Sequence, residues 1–359
     1  MLKHLFSDDL PRSRWLTLFL CVLFVVLLSA PFVWTSARAL NTAATISIFF
    51  ILVASFDLLL GYCGIVSFAH AMFFGIGSYG AAIALHRFGP TWSVLAGGAA
   101  AALAISAILS LLIAMASLRV KAIFFTMSTL AFAAAFAALV QRLSWLTGGD
   151  DGLNFRLPEP LSSGHIYFTV PLVGLDVTGK VVLYYFVLFS SLAALLILLR
   201  IVNSRFGRVL EAVRENELRA EAIGYRTLTF RLAPNCIAAV IAAWAGVLMA
   251  LWSRYAGPST SADFNVMLNV LLMAVVGGLG TIYGAAVGVT IFVFAQNYLQ
   301  LALAAVNASA LKLGGEWLAR LFHPDRWLLW FGVVFILCVY FFPNGVVGYL
   351  RLRRIRRVR

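Results

Sequence analysis

The sequence predicts an all-α polytopic membrane protein of about ten transmembrane helices, with both termini on the cytoplasmic side. Three observations carry that expectation. Of the 359 residues, 62% are hydrophobic and 11% charged, against about a quarter charged in a soluble domain. The apolar residues form continuous runs of membrane length, about 20 residues each, without the alternation of a barrel strand. Basic residues gather at alternate connections between those runs, as the positive-inside rule requires.

Read by length, spans fall near 15–34, 41–60, 65–86, 91–117, 122–146, 181–201, 232–252, 265–281, 284–303 and 327–343. The first follows Lys3, Arg12 and Arg14 and precedes a faint cleavage-like Ala37-Arg38-Ala39. Its apolar stretch is longer than the roughly 7–15 residues of a secretory leader, so it reads as a retained span. Only Gly61-Tyr62-Cys63-Gly64 separates the second span from the third, and the segment Gly277 to Gly284 joins the eighth to the ninth. An even number of spans places both termini on one side. With that side cytoplasmic, it receives Lys3, Arg12, Arg14, Arg119, Lys121, the arginines from Arg200 to Arg231 and those of the tail, most of the 27 basic residues. The net charge of +13 is thereby assigned to topology and anionic lipid rather than to nucleic acid. Cys21, Cys63, Cys236 and Cys338 are scattered along apolar runs without metal-site spacing and read as small buried hydrophobes.

The chain reads as one transmembrane domain, 1–359, with four segments outside the hydrocarbon. Residues 147–180 open Thr147-Gly148-Gly149-Asp150-Asp151-Gly152 and carry Pro158, Pro160 and Pro171, a turn-rich outer loop. Residues 304–326 set Leu311, Leu313, Trp317, Leu318, Leu321 and Phe322 among Lys312, Glu316 and Arg320, the pattern of an amphipathic helix on the outer interface. Residues 351–359 form a basic tail that anchors topology. Residues 202–231 form the inner loop. A few residues would suffice to join two spans, so a charged segment of this length is expected to be read by something outside the bilayer. Arg208 to Tyr225 reads as a helix, rich in Ala, Leu, Glu and Arg. Glu215 and Arg219 are a favourable i,i+4 pair, whereas Glu211–Glu215 and Glu217–Glu221 are like-charged. Val209, Val213, Ala220 and Ile223 can share one side, and Gly224 suits the C-terminus.

Catalytic material is scarce. No HExxH pair, no Ser/His/Asp set and no phosphate-cradling GxxxxGK[ST] occurs, so neither a catalytic residue nor a metal site is expected, and the chain has no such nucleotide loop. No carboxylate lies mid-span, which argues against proton coupling. Asp57 sits near the inner end of the second span, His70 near the start of the third and Arg142 near the outer end of the fifth. Asp57 reads either as a group reaching the surface or capping the next turn, or as a lining residue. His70 reads either as a hydrogen-bonded packing residue or as a lining group. Gly61, Gly64, Gly75, Gly77 and Gly80, with Ser67 among them, crowd one region, and Gly277, Gly278, Gly280, Gly284 and Gly288 another. Such segments either let helices approach closely or mark interrupted helices beside a transport path.

The run from Asp57 to Tyr79 resembles the signature of the Liv-type permeases, the membrane subunits of ATP-binding-cassette importers for branched-chain amino acids. Four further segments agree in order: Thr147 to Leu153 with the family's outer TGG-x-x-GL loop, Ser204 to Gly224 with its cytoplasmic loop, Val275 to Gly284 with its GGLGS-x-x-G turn, and Phe341 to Gly348 with its FP-x-GL ending. Length and the long outer loop resemble the LivM-like half more than the LivH-like half. The resemblance implies a multi-pass protein of the bacterial inner membrane. It would work with a second, LivH-like permease subunit, two cytosolic ATP-binding subunits and a periplasmic substrate-binding protein. ATP and Mg would be held by the ATP-binding subunits, and no cofactor by this chain. It further implies ATPase coupling through Arg208, Glu211, Arg214, Glu215, Asn216, Glu217, Glu221 and Gly224. The translocation path would involve Asp57, Gly61, Gly64, Ser67, His70, Gly75, Gly77, Gly277, Gly278 and Gly280.

Departures at Asn154, Asn235, Cys236 and Trp252-Ser253-Arg254 leave the solute open. Relatives with this signature also serve urea, short amides and aromatic acids. An ion-coupled secondary transporter is the alternative from another class.

Overall fold

A computed structural model of the chain describes residues 14–33, 36–117, 122–162, 164–170, 175–312, 320–341, 345, 347 and 348. The apolar runs are helices. They are α1 (Arg14–Val33), α2 (Ala37–Asp57), α3 (His70–Phe88), α4 (Trp92–Ser117) and α5 (Ala122–Arg142). Short strands β1 (Leu153–Asn154), β2 (Ile166–Val170) and β3 (Leu175–Thr178) follow, then α6 (Gly179–Val202), α7 (Arg205–Glu215), α8 (Glu217–Ala222) and α9 (Thr227–Ser253). The chain ends with β4 (Tyr255–Ala256), α10 (Phe264–Gly277), α11 (Ile282–Lys312) and α12 (Trp327–Phe341).

Each of the ten expected spans coincides with one of these helices. Among the described residues, eight segments are long and apolar enough to cross a membrane. The two that fall short have physical reasons. α3 carries His70, Ser78, His86 and Arg87 and is enclosed by α4 and α9, so it needs no lipid-soluble surface. α12 has 15 residues, about 22 Å at the α-helical rise, below the ~30 Å of a hydrocarbon core.

α2, α3 and α9 form the centre. Ile48, Ile51, Leu52 and Phe56 of α2, Phe73 and Phe74 of α3, and Ala238, Ala239 and Ala242 of α9 are buried. α1 and α5 lie at the periphery and expose Val25, Val33, Ile123 and Met127, the surface expected toward lipid. Of the cysteines, only Cys63 is buried, while Cys21 is exposed, so the sequence expectation of four buried thiols fails where α1 faces outward.

Pro31 lies inside α1. Proline has no N–H, so the Leu27 carbonyl four residues earlier loses its helical donor. The Tyr184 hydroxyl donates to that carbonyl at 2.5 Å, and the Tyr185 hydroxyl to Leu28 at 2.8 Å. Apolar surroundings make an unpaired carbonyl costly. Tyr184→Phe is therefore expected to destabilise the bundle by about 1–2 kcal/mol. Tyr185→Phe should cost less, because Phe32 retains the N–H that serves Leu28. Thermal unfolding of the two detergent-solubilised variants checks the ranking.

At one end of the bundle, the described residues of 147–180 are packed and hydrogen-bonded. Thr147 Oγ1 donates to the Val140 carbonyl at 2.5 Å, and Gly148, Gly149 and Gly152 take positive φ. β1 pairs antiparallel with β4, β2 with β3, and Leu153, Phe155, Leu157 and Leu161 are buried against the helices. The expected outer loop is thus a folded cap. The expected interfacial helix over 304–326 begins differently. Residues 304–312 belong to α11, whose 31 residues, Ile282–Lys312, include Gly284 and Gly288. Residues 313–319 of that segment lie outside the described residues, as does the basic tail 351–359.

Candidate functional site

The second membrane helix does not turn simply into the third. After Asp57 the chain widens into a π-helical turn, Leu58–Tyr62, then runs irregularly through 64–67 and turns at 68–69 before α3 starts at His70. Apolar composition cannot distinguish irregular from helical backbone here, which is why the sequence places the span start at 65. Ile65 N donates to the Leu59 carbonyl at 3.0 Å. The Gly61 carbonyl, its partner in a regular helix, is thereby released. Polar groups on α5 support the irregular stretch: Thr126 Oγ1 donates to the Val66 carbonyl at 3.2 Å, and Thr129 Oγ1 accepts from Phe68 N at 3.1 Å. Irregular backbone at this depth survives only with such partners. Neither threonine is singled out by the sequence, since hydroxyls in an apolar run carry no mark of what they bond.

Asp57, Gly61, Gly64, Gly280 and Arg214 meet at this break. Asp57 is 2% exposed. Its Oδ1 accepts from Gly280 N at 2.8 Å, in the Gly278–Thr281 turn between α10 and α11. Asp57 therefore neither reaches the surface nor caps the turn that follows it; it holds a turn more than 200 residues away. A Cβ on Gly61 would meet Asp57 Oδ1 and Gly280 N, so the two connectors touch only because Gly61 lacks one. The Arg214 guanidinium donates to the freed Gly61 carbonyl. Gly64 (φ +69) and Gly280 (φ +77) adopt left-handed backbone beside that same side chain. Asp57 Oδ2 has no hydrogen-bond partner among the described residues.

The polar loop lies on this joint. Ser204 Oγ caps α7 by accepting from Gly207 N at 3.3 Å. The single helix expected from Arg208 to Tyr225 is broken at Asn216 (φ −158, ψ 101), whose Oδ1 accepts from Arg219 N at 3.0 Å and starts α8. An Asn that can cap outcompetes one more helical turn, the more so between like-charged Glu pairs. The break takes Glu215 and Arg219 off one continuous helix, so their expected spacing no longer applies. Glu217 instead pairs with Arg231 of α9 at 2.8 Å, and Thr227 Oγ1 donates to Glu221 Oε1 at 2.6 Å. Gly224 (φ +99) ends α8 as expected. Its N–H bonds the Glu221 carbonyl and that of Tyr225 bonds Ala220, the paired geometry of a Schellman cap. Leu210, Val213 and Ala220 face the bundle, and Ile223 does not. Arg208, Glu211 and Glu215 are exposed.

Other expected site residues lie apart. His70 is fully buried, with Nε2 3.0 Å from Ser55 Oγ. Ser55 Oγ also lies 2.8 Å from the Leu52 carbonyl, and His70 Nδ1 has no hydrogen-bond partner among the described residues. Ser67 is buried in the irregular stretch. Gly75 sits against Phe136 and Ser261, and Gly77 against the Ala243 backbone of α9. Gly277 abuts Gly284 across the α10–α11 turn. Gly278 abuts Gly345, from the end of the chain. Arg142 lies at the far end of α5. Asn235 Nδ2 and Cys236 Sγ face the Ser110 and Ala107 carbonyls of α4.

The segments 57–67, 204–224, 277–284 and 345 thus converge at one end of the bundle, and the folded cap closes the other. Helices interrupted at touching glycine connectors, under a polar two-helix loop, define a membrane permease component. The chain belongs to the family of permease components of branched-chain amino acid transport systems, whose model matches residues 38–339. It is 25% identical over 297 residues to the high-affinity branched-chain amino acid transport system permease protein LivM of Salmonella typhimurium, covering 79% of this chain and 68% of that protein. A probable LivM of Methanocaldococcus jannaschii is 31% identical over 166 residues, 45% of each chain. The LivH permease protein of Salmonella typhimurium is 25% identical over 266 residues, 73% of this chain and 84% of that one. No solved structure matches the chain.

Proposed function

We propose that this chain is the LivM-like half of an importer that moves branched-chain amino acids across a bacterial inner membrane. A LivH-like chain forms the other half, two cytosolic ATP-binding subunits hold ATP and Mg, and a periplasmic protein delivers the solute. The α7–α8 loop and both termini face the cytoplasm, in keeping with the basic residues of that face. The observation that carries the reading is the outer face of α8. Leu218 is 78% and Ile223 72% exposed, with Tyr225 and Leu228 beside them. Glu215, Glu217, Arg219 and Glu221 place this ridge outside the hydrocarbon, so lipid does not cover it. An apolar ridge rimmed by charge fits a protein partner, here the ATP-binding subunit. ATP closes the partner dimer, and its preference for one state of the permease biases the bundle toward that state. A path without mid-span charge suits a zwitterion or a neutral solute.

The test is uptake of radiolabelled leucine by cells carrying the chain with its neighbouring transport genes. Leu218→Glu with Ile223→Glu leaves every buried contact intact. It is expected to cut uptake at least tenfold and to abolish co-purification of the ATP-binding subunits at unchanged membrane expression. Undiminished uptake in that variant would point to an ion-driven carrier. Uptake competed by urea, an amide or an aromatic acid but not by leucine would keep the importer and change the solute.

A further inference from the structure

Arg214 lies in the loop that the preceding reading gives to the ATP-binding subunit, yet its side chain turns the other way. Leu218 and Ile223 project from the bundle. Arg214 remains exposed as a residue, but its guanidinium reaches the connector, where Nη1 donates to the Gly61 carbonyl. That carbonyl is available only because Leu58–Tyr62 is π-helical and Ile65 N bonds Leu59 instead. Gly64 accommodates the arginine stem: a Cβ there would lie 3.0 Å from Arg214 Cγ and 3.7 Å from Cδ. Gly280 accommodates the head: a Cβ there would lie 3.6 Å from Nη1 and 3.3 Å from the Gly61 carbonyl oxygen. Asp57 closes the ring, since its Oδ1 holds Gly280 N at 2.8 Å. One side chain from the loop thus rests between two glycine connectors that join four membrane helices.

We propose that Arg214 is a positioning residue, a latch that locks the α2–α3 connector onto the α10–α11 connector and releases them when the loop moves. This rests on the loop being the docking element but assigns Arg214 to the gate rather than to the partner's surface. The mechanical path is short. α8 is tied to α9 by Glu217–Arg231 and Glu221–Thr227, and to α7 through the Asn216 cap. A push on the outer ridge rotates α7 and withdraws the guanidinium. The Gly61 carbonyl then loses its donor, and the two connectors lose their shared cation. Arginine suits the role because its planar, permanently charged head offers several fixed donors, which lysine does not.

Cys63 reports on the joint. It is 6% exposed and adjoins Gly64. The experiment uses the full transport complex in membranes, with Cys63 as the sole cysteine of this chain after Cys21→Ser, Cys236→Ser and Cys338→Ser. Arg214→Met keeps the stem and removes the charged head. It is expected to raise the rate of maleimide labelling at Cys63 at least tenfold, to keep the ATP-binding subunits bound, and to cut solute uptake at least tenfold. Arg214→Lys should fall between Met and wild type in labelling, which guards against a general folding defect. By contrast, Leu218→Glu with Ile223→Glu should lose the ATP-binding subunits while Cys63 stays protected. Unchanged labelling of Cys63 in Arg214→Met overturns the latch, whatever happens to uptake. Loss of the ATP-binding subunits from Arg214→Met with Cys63 still protected overturns it in favour of a docking contact. The labelling measurement needs no partner, so it decides the latch even if no ATP-binding subunit associates with the chain.

Discussion

Gly77→Leu is expected to prevent accumulation of the folded chain. α3 and α9 cross backbone to backbone at two reciprocal points. A Cβ at Gly77 would meet the Ala243 carbonyl, and a Cβ at Gly246 would meet the Phe74 carbonyl. Both obstacles are main chain of a central helix, so neither can rotate away as a side chain could. Small residues at such crossings let helix backbones approach, and in lipid that contact is a main source of association. α3 is enclosed by α4 and α9, and Ala239, Ala242 and Ala243 fill the contact from the α9 side. Separating the two helices to admit a leucine would loosen all of these at once. The expected destabilisation exceeds about 4 kcal/mol, the range reserved for such core disruptions. Gly97 and Gly332 are the controls, since a Cβ at either meets nothing within 4 Å. Fluorescence-detected size exclusion of the four variants Gly77→Leu, Gly246→Leu, Gly97→Leu and Gly332→Leu should give a normal peak for the last two only. A normal, monodisperse peak for Gly77→Leu would mean that the α3–α9 crossing does not bear on folding.

The helices were legible because their signal is local: a run of about 20 apolar residues predicts its own span. Their ends were less so. Residues 65–69 are largely apolar and read as part of the third span, yet they are irregular and turn at 68–69 before His70, after a π-helical turn and the positive φ of Gly64. The polar loop was legible as a helix with a Gly224 terminus, but its break was not, although Asn216 followed by Glu217 is a capping signal. The summed helix propensity of the flanking residues hid it. The joint was legible only in pieces. Asp57, Gly61, Gly64, Gly280 and Arg214 each stood out by residue type, but Arg214 and Gly61 are separated by 153 residues and Asp57 and Gly280 by 223. No periodicity spans such distances. For that reason the sequence sorts Arg214 with the loop and the glycines with a path, whereas the structure brings them into one cluster.

The same cluster separates two meanings of a buried carboxylate. A carboxylate in a membrane protein is a proton or cation site by default, and an ion-coupled carrier would use Asp57 as its ionised, exchangeable group. The geometry gives it another task. Asp57 Oδ1 satisfies Gly280 N, in a turn where Gly280 holds a left-handed backbone. Asp57→Asn keeps an acceptor oxygen at the same place and loses the charge; Asp57→Ala loses both. If the carboxylate works as a structural acceptor, the asparagine variant should retain at least half of wild-type uptake. The alanine variant should lose at least tenfold. An unpaired buried N–H costs about 1–3 kcal/mol, so amide hydrogen exchange across 278–281 should accelerate roughly tenfold to a hundredfold in Asp57→Ala and little in Asp57→Asn. If both variants lose uptake equally while only the alanine variant accelerates exchange, the charge itself is needed. The ion-coupled mechanism then gains the support that the sequence alone withholds from it.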